Sequence, residues 1–107
     1  MHAMKLTAPG GLDQIHLAEI EPRAPGFGEI QVEIKATSLN FHDYAVVTGL
    51  IPADDGRIPM SDGAGVVTAV GEGVTTFAEG DRVLSYFFPN WAGGRPTLPD
   101  LLGVPGD

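Results

Sequence analysis

The sequence predicts a mainly β domain with one short helix, and the prediction rests on punctuation and on periodicity. Fifteen glycines and nine prolines break the 107 residues into short apolar segments, the habit of chains built from strands and tight turns. One segment alternates apolar and polar residues with a period of two, and only one stretch shifts to spacings of three and four.

Along the chain, a loop at Pro9-Gly10-Gly11 precedes an irregular strand suggested by Ile15, Leu17 and Ala18 to Ile20. Pro25-Gly26-Phe27-Gly28 reads as a turn that launches the clearest strand, Glu29 to Leu39. There Ile30, Val32, Ile34 and Ala36 are expected to face inward, and Gln31, Glu33 and Lys35 outward. From Asn40 to Thr48 the residues Phe41, Tyr44, Ala45 and Val47 follow helical spacing, with Gly49 as the stop. Leu50 to Met60 is a loop, because Pro52, Asp54, Asp55, Gly56 and Pro59 crowd it. A β-branched run from Gly65 to Val70 turns at Gly71-Glu72-Gly73, and a last strand is expected from Asp81 to Phe88. From Pro89 the chain is loop-like, with Trp91, Gly93, Gly94, Pro96, Pro99 and Pro105.

Composition narrows the functions. Apolar residues make up 43% and charged residues 19%, which describes a folded chain with a core of its own. Six basic against fourteen acidic residues give a formal charge of −8, a surface that repels nucleic acid and anionic membranes. With no cysteine there is no disulfide, thiolate nucleophile or Cys-ligated zinc, and the composition fits a reducing cytoplasm. No stretch of about 18 apolar residues offers a membrane span. The opening MHAMKLTAPGG lacks the basic patch and apolar run of a signal peptide.

Gly63-Ala64-Gly65 is not a dinucleotide fingerprint: a Pro-rich loop precedes it, β-branched residues follow, and position 68 is Thr. Those glycines are read as permitting close backbone packing in a strand. The only imidazoles, His2, His16 and His42, lack the spacing of a helical zinc pair, and no serine sits in a Gly-x-Ser-x-Gly elbow. No metal ligands are therefore assigned.

Four segments in register resemble the medium-chain dehydrogenase/reductase superfamily. Pro25-Gly26-Phe27-Gly28-Glu29-Ile30-Gln31-Val32 is similar to its PGxGEVxV opening, and Ser38-Leu39-Asn40-Phe41-His42-Asp43 to its SLNxxD segment. Ser61-Asp62-Gly63-Ala64-Gly65-Val66-Val67 with Val70-Gly71 and Gly73-Val74 resembles (G)xDGAGxVxxVGxxV, and Phe77 with Gly80-Asp81-Arg82-Val83 matches FxxGDRV. The likeness runs from Met1 to about Gly94. It implies a GroES-like, partly open β-barrel with one short helix, spanning 1–107 as a C-terminally incomplete amino-terminal substrate domain. In that family a Rossmann domain carries NAD(P), and substrate sits in the cleft between the two domains.

The departures are as informative. Where zinc-containing alcohol dehydrogenases carry a cysteine and a histidine ligand, this chain has Asn40 and Ser61. The Cys-rich structural zinc lobe after Arg82-Val83 is also missing. The resemblance thus points to the zinc-free, quinone-oxidoreductase-like branch, which transfers hydride to or from a quinone, enone or carbonyl/alcohol substrate. Without a Lewis acid, such catalysis rests on positioning and hydrogen-bond donors. Asn40 is the candidate catalytic, substrate-binding and cofactor-facing amide, and Asp62 fills the place of a family carboxylate near the cleft. His42 is either a proton donor or a solvent-facing or cleft-edge side chain. Asp43 is read as a structural carboxylate at the helix start.

Tyr86, Phe87, Phe88 and Trp91 cluster, and strand alternation is expected to bury Tyr86 and Phe88. Similar FFPxWxxG segments border the family's substrate entrance, so Trp91 is a substrate-contact candidate, with plain loop packing as the other reading. The implied partners are a small-molecule substrate, the parent enzyme's Rossmann domain and, at that domain's contacts, further copies in a homo-oligomer. No strand–Gly-rich-turn–helix unit is present, so the chain alone is expected to be inactive. It is also expected to leave an unpaired strand edge and an exposed apolar face. The alternative function is a non-catalytic GroES-like binding or assembly module.

Overall fold

In the computed structural model, which describes residues 1–106, the chain divides into two compact units. The first combines Met1–Ile20, Ser38–Asp62 and Tyr86–Asp107; the second combines Glu21–Thr37 and Gly63–Ser85. Mostly β structure with a single α-helix among the described residues agrees with the class the sequence predicts.

In the first unit, β1 (His2–Leu6) pairs antiparallel with β2 (Ile15–Glu19), from His2 opposite Glu19 to Leu6 opposite Ile15. A 3-10 turn at Leu12–Gln14 links them, and the Thr7 N–H donates to the Gln14 carbonyl at 2.9 Å to close the connection. Sequence reasoning found β2 but not β1, because His-Ala-Met-Lys-Leu has no β-branched or aromatic residue. Leu6 extends the pairing beyond β1: its N–H donates to the Arg57 carbonyl at 2.8 Å, and its carbonyl accepts from Gly56 at 2.9 Å.

The helix α1 spans Phe41–Val47. Seven residues are too few to hold a helix by propensity, so packing and the terminal cap must do it. Leu6, Val46 and Val47 form the buried cluster, with Ile15, Ile51 and Ala53 packed against it. Full burial of a side chain such as Leu6 contributes about 1.5–3 kcal/mol. Helical spacing had grouped Phe41 and Tyr44 with Ala45 and Val47, yet Phe41 and Tyr44 are exposed while Ala45, Val46 and Val47 are buried. The stop is as expected: Gly49 takes φ 84°, and a Cβ there would lie 2.6 Å from the Pro9 carbonyl oxygen.

In the second unit, β3 (Ile30–Ala36), β4 (Ala64–Val70) and β5 (Arg82–Leu84) form an antiparallel sheet in that order. Close approach explains the glycine in the central strand. A Cβ on Gly65 would meet the Glu33 carbonyl oxygen at 2.1 Å, in line with the packing role read from the sequence. Val67 is the buried apolar side chain of this unit, and its backbone is tied to Gly80 and Asp81.

The inward set on β3 fails past Val32, since Ile34 is 57% exposed and Ala36 is exposed too. Register shifts between Gln31 and Val32 and between Ile34 and Ala36 break the strict alternation. Glu33 and Lys35 do share a solvent face, where their side chains pair. The last strand ends at Leu84 rather than Phe88. Ser85 closes the ladder, its N–H donating to the Gly63 carbonyl at 2.8 Å and its Oγ accepting from the Gly63 N–H at 2.9 Å. With no strand continuing beyond that point, alternation buries neither aromatic: Tyr86 is 61% exposed and Phe88 only half-buried.

Candidate functional site

The first unit brings together two segments, Ser38 to Asp43 around the start of α1 and Ser61-Asp62 after the loop. Asp43, in the first turn of the helix, is the anchor. Its carboxylate is buried, with Oδ2 accepting from the Asn40 backbone N–H at 2.8 Å and Oδ1 from the Ser61 backbone N–H at 2.7 Å. One side chain thereby satisfies an amide at the helix entrance and ties a residue 18 positions away. This is the structural role the sequence suggested for it, with the reach to Ser61 added.

Asp62 is the acceptor of the cluster. Oδ1 takes the Ser38 backbone N–H at 2.9 Å, and Oδ2 takes the Ser38 hydroxyl at 2.5 Å and the Asn40 Nδ2 at 3.1 Å. The Asn40 amide nitrogen also lies 3.3 Å from the Ser38 carbonyl and 3.5 Å from Ser61 Oγ. Three acceptors surround two amide hydrogens, so the donors of Asn40 are directed into its own chain. The contact to Ser61 Oγ is the longest and the one a competing oxygen would displace at least cost.

Of the sequence-predicted residues, Asn40 and Asp62 are therefore in direct contact. Ser38 was not singled out as a site residue, although it opens the Ser38-Leu39-Asn40 segment that carried the resemblance; its hydroxyl contact spans 24 positions and no local pattern reveals it. His42, also on the first turn of α1, is half-buried and meets the Phe87 ring edge-on, with centroids 5.3 Å apart at 82°. Phe87 stacks in the same manner on Phe88 at 4.7 Å, and Phe88 on Trp91 at 6.2 Å. Trp91 is half-buried and its Nε1 donates to the Gly94 carbonyl at 3.1 Å, so its indole already has a partner in its own loop. An aromatic run thus leads from His42 to Trp91.

The positions that hold metal in zinc-containing members of the resembled family present an amide and a hydroxyl here, and those groups contact each other. Neither is a customary zinc ligand, so this donor pair does not fit that metal. Among the described residues no three His, Asp or Glu side chains converge as a metal group.

The Alcohol dehydrogenase GroES-like domain family matches residues 26–106. Over 77 residues the chain is 51% identical to a mycocerosic acid synthase-like polyketide synthase from Mycolicibacterium smegmatis, a match covering 70% of this chain and 4% of the synthase. The Escherichia coli quinone oxidoreductase complexed with NADPH is similar with a TM-score of 0.73 and 34% identity, covering 78% of this chain and 26% of that enzyme. A cobalt- and zinc-bound thermostable alcohol dehydrogenase from Pyrobaculum aerophilum gives a TM-score of 0.76 at 39% identity, covering 80% and 26%. The chain thus spans a small part of each relative's length.

Proposed function

The chain belongs to the alcohol dehydrogenase GroES-like domain family, and from that premise we propose that it forms one wall of the substrate cleft of an NAD(P)-dependent, zinc-independent oxidoreductase. Its solved relatives include quinone oxidoreductases and alcohol dehydrogenases of the medium-chain dehydrogenase/reductase superfamily. The observation that carries the reading is the Ser38–Asn40–Ser61–Asp62 cluster, an exposed amide held in place by a carboxylate at positions the family uses for its site.

A bound nicotinamide supplies the hydride, and this chain supplies orientation. Asp62 fixes the Asn40 amide, and a substrate oxygen that gains negative charge competes with Ser61 Oγ for one of its hydrogens. His42, at the start of the aromatic run, is the proposed proton donor, and Trp91 at the other end contacts substrate. The proposed substrate is a quinone, an enone or a carbonyl/alcohol, and the proposed setting is the cytoplasm. The zinc-free assignment rests on the Asn40 and Ser61 donor chemistry.

A second reading follows from the 51% identity to a polyketide synthase: the chain is a segment of a much longer synthase. The length of the complete gene product separates the two readings.

The test uses the complete protein. NADH and NADPH oxidation is followed with a small quinone, an enone and a ketone, before and after chelation. Turnover that survives chelation supports the proposal. Stoichiometric zinc with chelator-sensitive turnover overturns its zinc-free part, and nucleotide-independent ligand binding without turnover favours the GroES-like binding module instead.

A further inference from the structure

Met60 is the only non-glycine residue with positive φ among the described residues, at 93°. A side chain on a backbone of this kind costs about 1–3 kcal/mol, and the conformation persists only where its surroundings over-determine it. Those surroundings are visible. On its C-terminal side the next two residues are held by four hydrogen bonds: Ser61 N–H to Asp43, and Asp62 from the Ser38 N–H, the Ser38 hydroxyl and the Asn40 amide. On its N-terminal side Pro59 is buried. Over its peptide lies Gly106, so close that a Cβ there would sit 2.6 Å from the Met60 carbonyl oxygen and 2.8 Å from its carbonyl carbon and nitrogen. The buried Val104 secures that approach two residues earlier.

We propose that Met60 is a positioning residue, whose strained backbone, pinned beneath Gly106, aims Ser61 and Asp62 and through them the Asn40 amide. Relaxing φ at Met60 into the ordinary negative range rotates the chain about its N–Cα bond by well over 100°. Ser61 then leaves Asp43, and Asp62 leaves Ser38 and Asn40, unless other residues move. A strained link of this kind transmits the position of residues 104–106 to the polar cluster. The catalytic consequence rests on the oxidoreductase reading; the structural one does not.

Two variants of the complete protein test it. Met60→Gly removes the conformational cost, so the melting temperature is expected to rise by about 2–4 °C. Glycine takes φ 93° without strain, so the hydrogen bonds of the cluster are kept and kcat and KM stay within about twofold. Gly106→Ala places a methyl against the Met60 peptide, on a residue itself at φ 89°, so it lowers the melting temperature. The displaced peptide turns Ser61 and Asp62, so in the folded variant kcat falls about tenfold while KM stays within about twofold. The side-chain amide resonances of Asn40 supply a readout independent of turnover: Gly106→Ala is expected to shift them and Met60→Gly to leave them in place. Unchanged kcat and unmoved Asn40 resonances in folded Gly106→Ala overturn the proposal, as does a lower melting temperature for Met60→Gly. If the unaltered protein oxidises no NAD(P)H, the oxidoreductase reading falls, and the Asn40 resonances then decide the positioning role alone.

Discussion

Asn40 and Asp62 lie 22 positions apart in the sequence, yet the Asn40 amide nitrogen donates to Asp62 Oδ2 at 3.1 Å. The contact makes the amide an oriented group rather than a rotor, since its two hydrogens have acceptors on one side. Orientation held in advance is what the proposed hydrogen-bonding role of Asn40 requires.

Asp62→Asn tests that relationship. The variant keeps the shape but offers one oxygen, which the Ser38 N–H needs, and turns an NH2 group toward the Asn40 NH2. Two donors then face each other, and the Asn40 amide must rotate. On the oxidoreductase reading, kcat/KM of the complete protein is expected to drop by up to about 100-fold, because small misplacements of a group that orients substrate cost that much. The cluster is largely open to water, so the stability loss is only about 1 kcal/mol. Steady-state kinetics and thermal unfolding on the same preparation separate these effects.

Asp43→Asn should show the reverse balance. Asp43 is 2% exposed, and both of its oxygens accept backbone N–H groups, from Asn40 and Ser61. An asparagine satisfies one and presents a donor to the other, leaving two buried donors opposed. The expected cost is about 2–3 kcal/mol in chemical denaturation. A variant as stable as the unaltered protein would contradict the assignment of Asp43 as the anchor.

Some of this was legible in the sequence and some was not, for physical reasons. The helix could be read because its signals are local: helical spacing within it and Gly49 after it. The strand β1 was invisible because only its partner makes it a strand, with Leu6 opposite Ile15 and anchored on Arg57. The last strand was overextended because Tyr86, Phe87 and Phe88 have strand propensity but no neighbouring strand to pair with. At the site, family register pointed to Asn40 and Asp62 but not to Ser38, which enters through a contact across 24 positions. The strained backbone of Met60 carries no sequence signal, since methionine is an unexceptional residue in a loop.

Gly65→Ala probes the central strand of the three-stranded sheet. The added methyl would lie 2.1 Å from the Glu33 carbonyl oxygen, 2.8 Å from its carbonyl carbon and 2.9 Å from Val32 Cγ1. Backbone atoms cannot swing aside as a side chain does, so β3 and β4 must separate locally. Overpacking of this kind costs about 1–3 kcal/mol, and the value here belongs at or above the upper end. Denaturant titration checks it, and hydrogen exchange at Val32 and Val67 should quicken with it.

Glu29 gives the second unit a dependence on acid. It sits at the turn into β3, where its carboxylate accepts the Gly26 N–H at 3.2 Å and pairs with Arg23 at 2.6 Å. The Gly26 amide first, and the Arg23 hydrogen bond and charge next, hold its carboxyl below the ordinary glutamate range. A folded-state value below the unfolded one means the unfolded chain binds the proton more readily. The stabilisation is therefore complete above the unfolded value, about 4.3, and is lost as pH falls through the lower folded value. The carboxylate is exposed, so solvent and salt keep the effect small. Titration of the Glu29 side-chain carbon by NMR should place its midpoint below that of an unstructured glutamate. In Arg23→Ala the midpoint should move upward without reaching the unstructured value, because the Gly26 amide remains. A midpoint that does not respond to Arg23 would mean that the pair does not persist in solution.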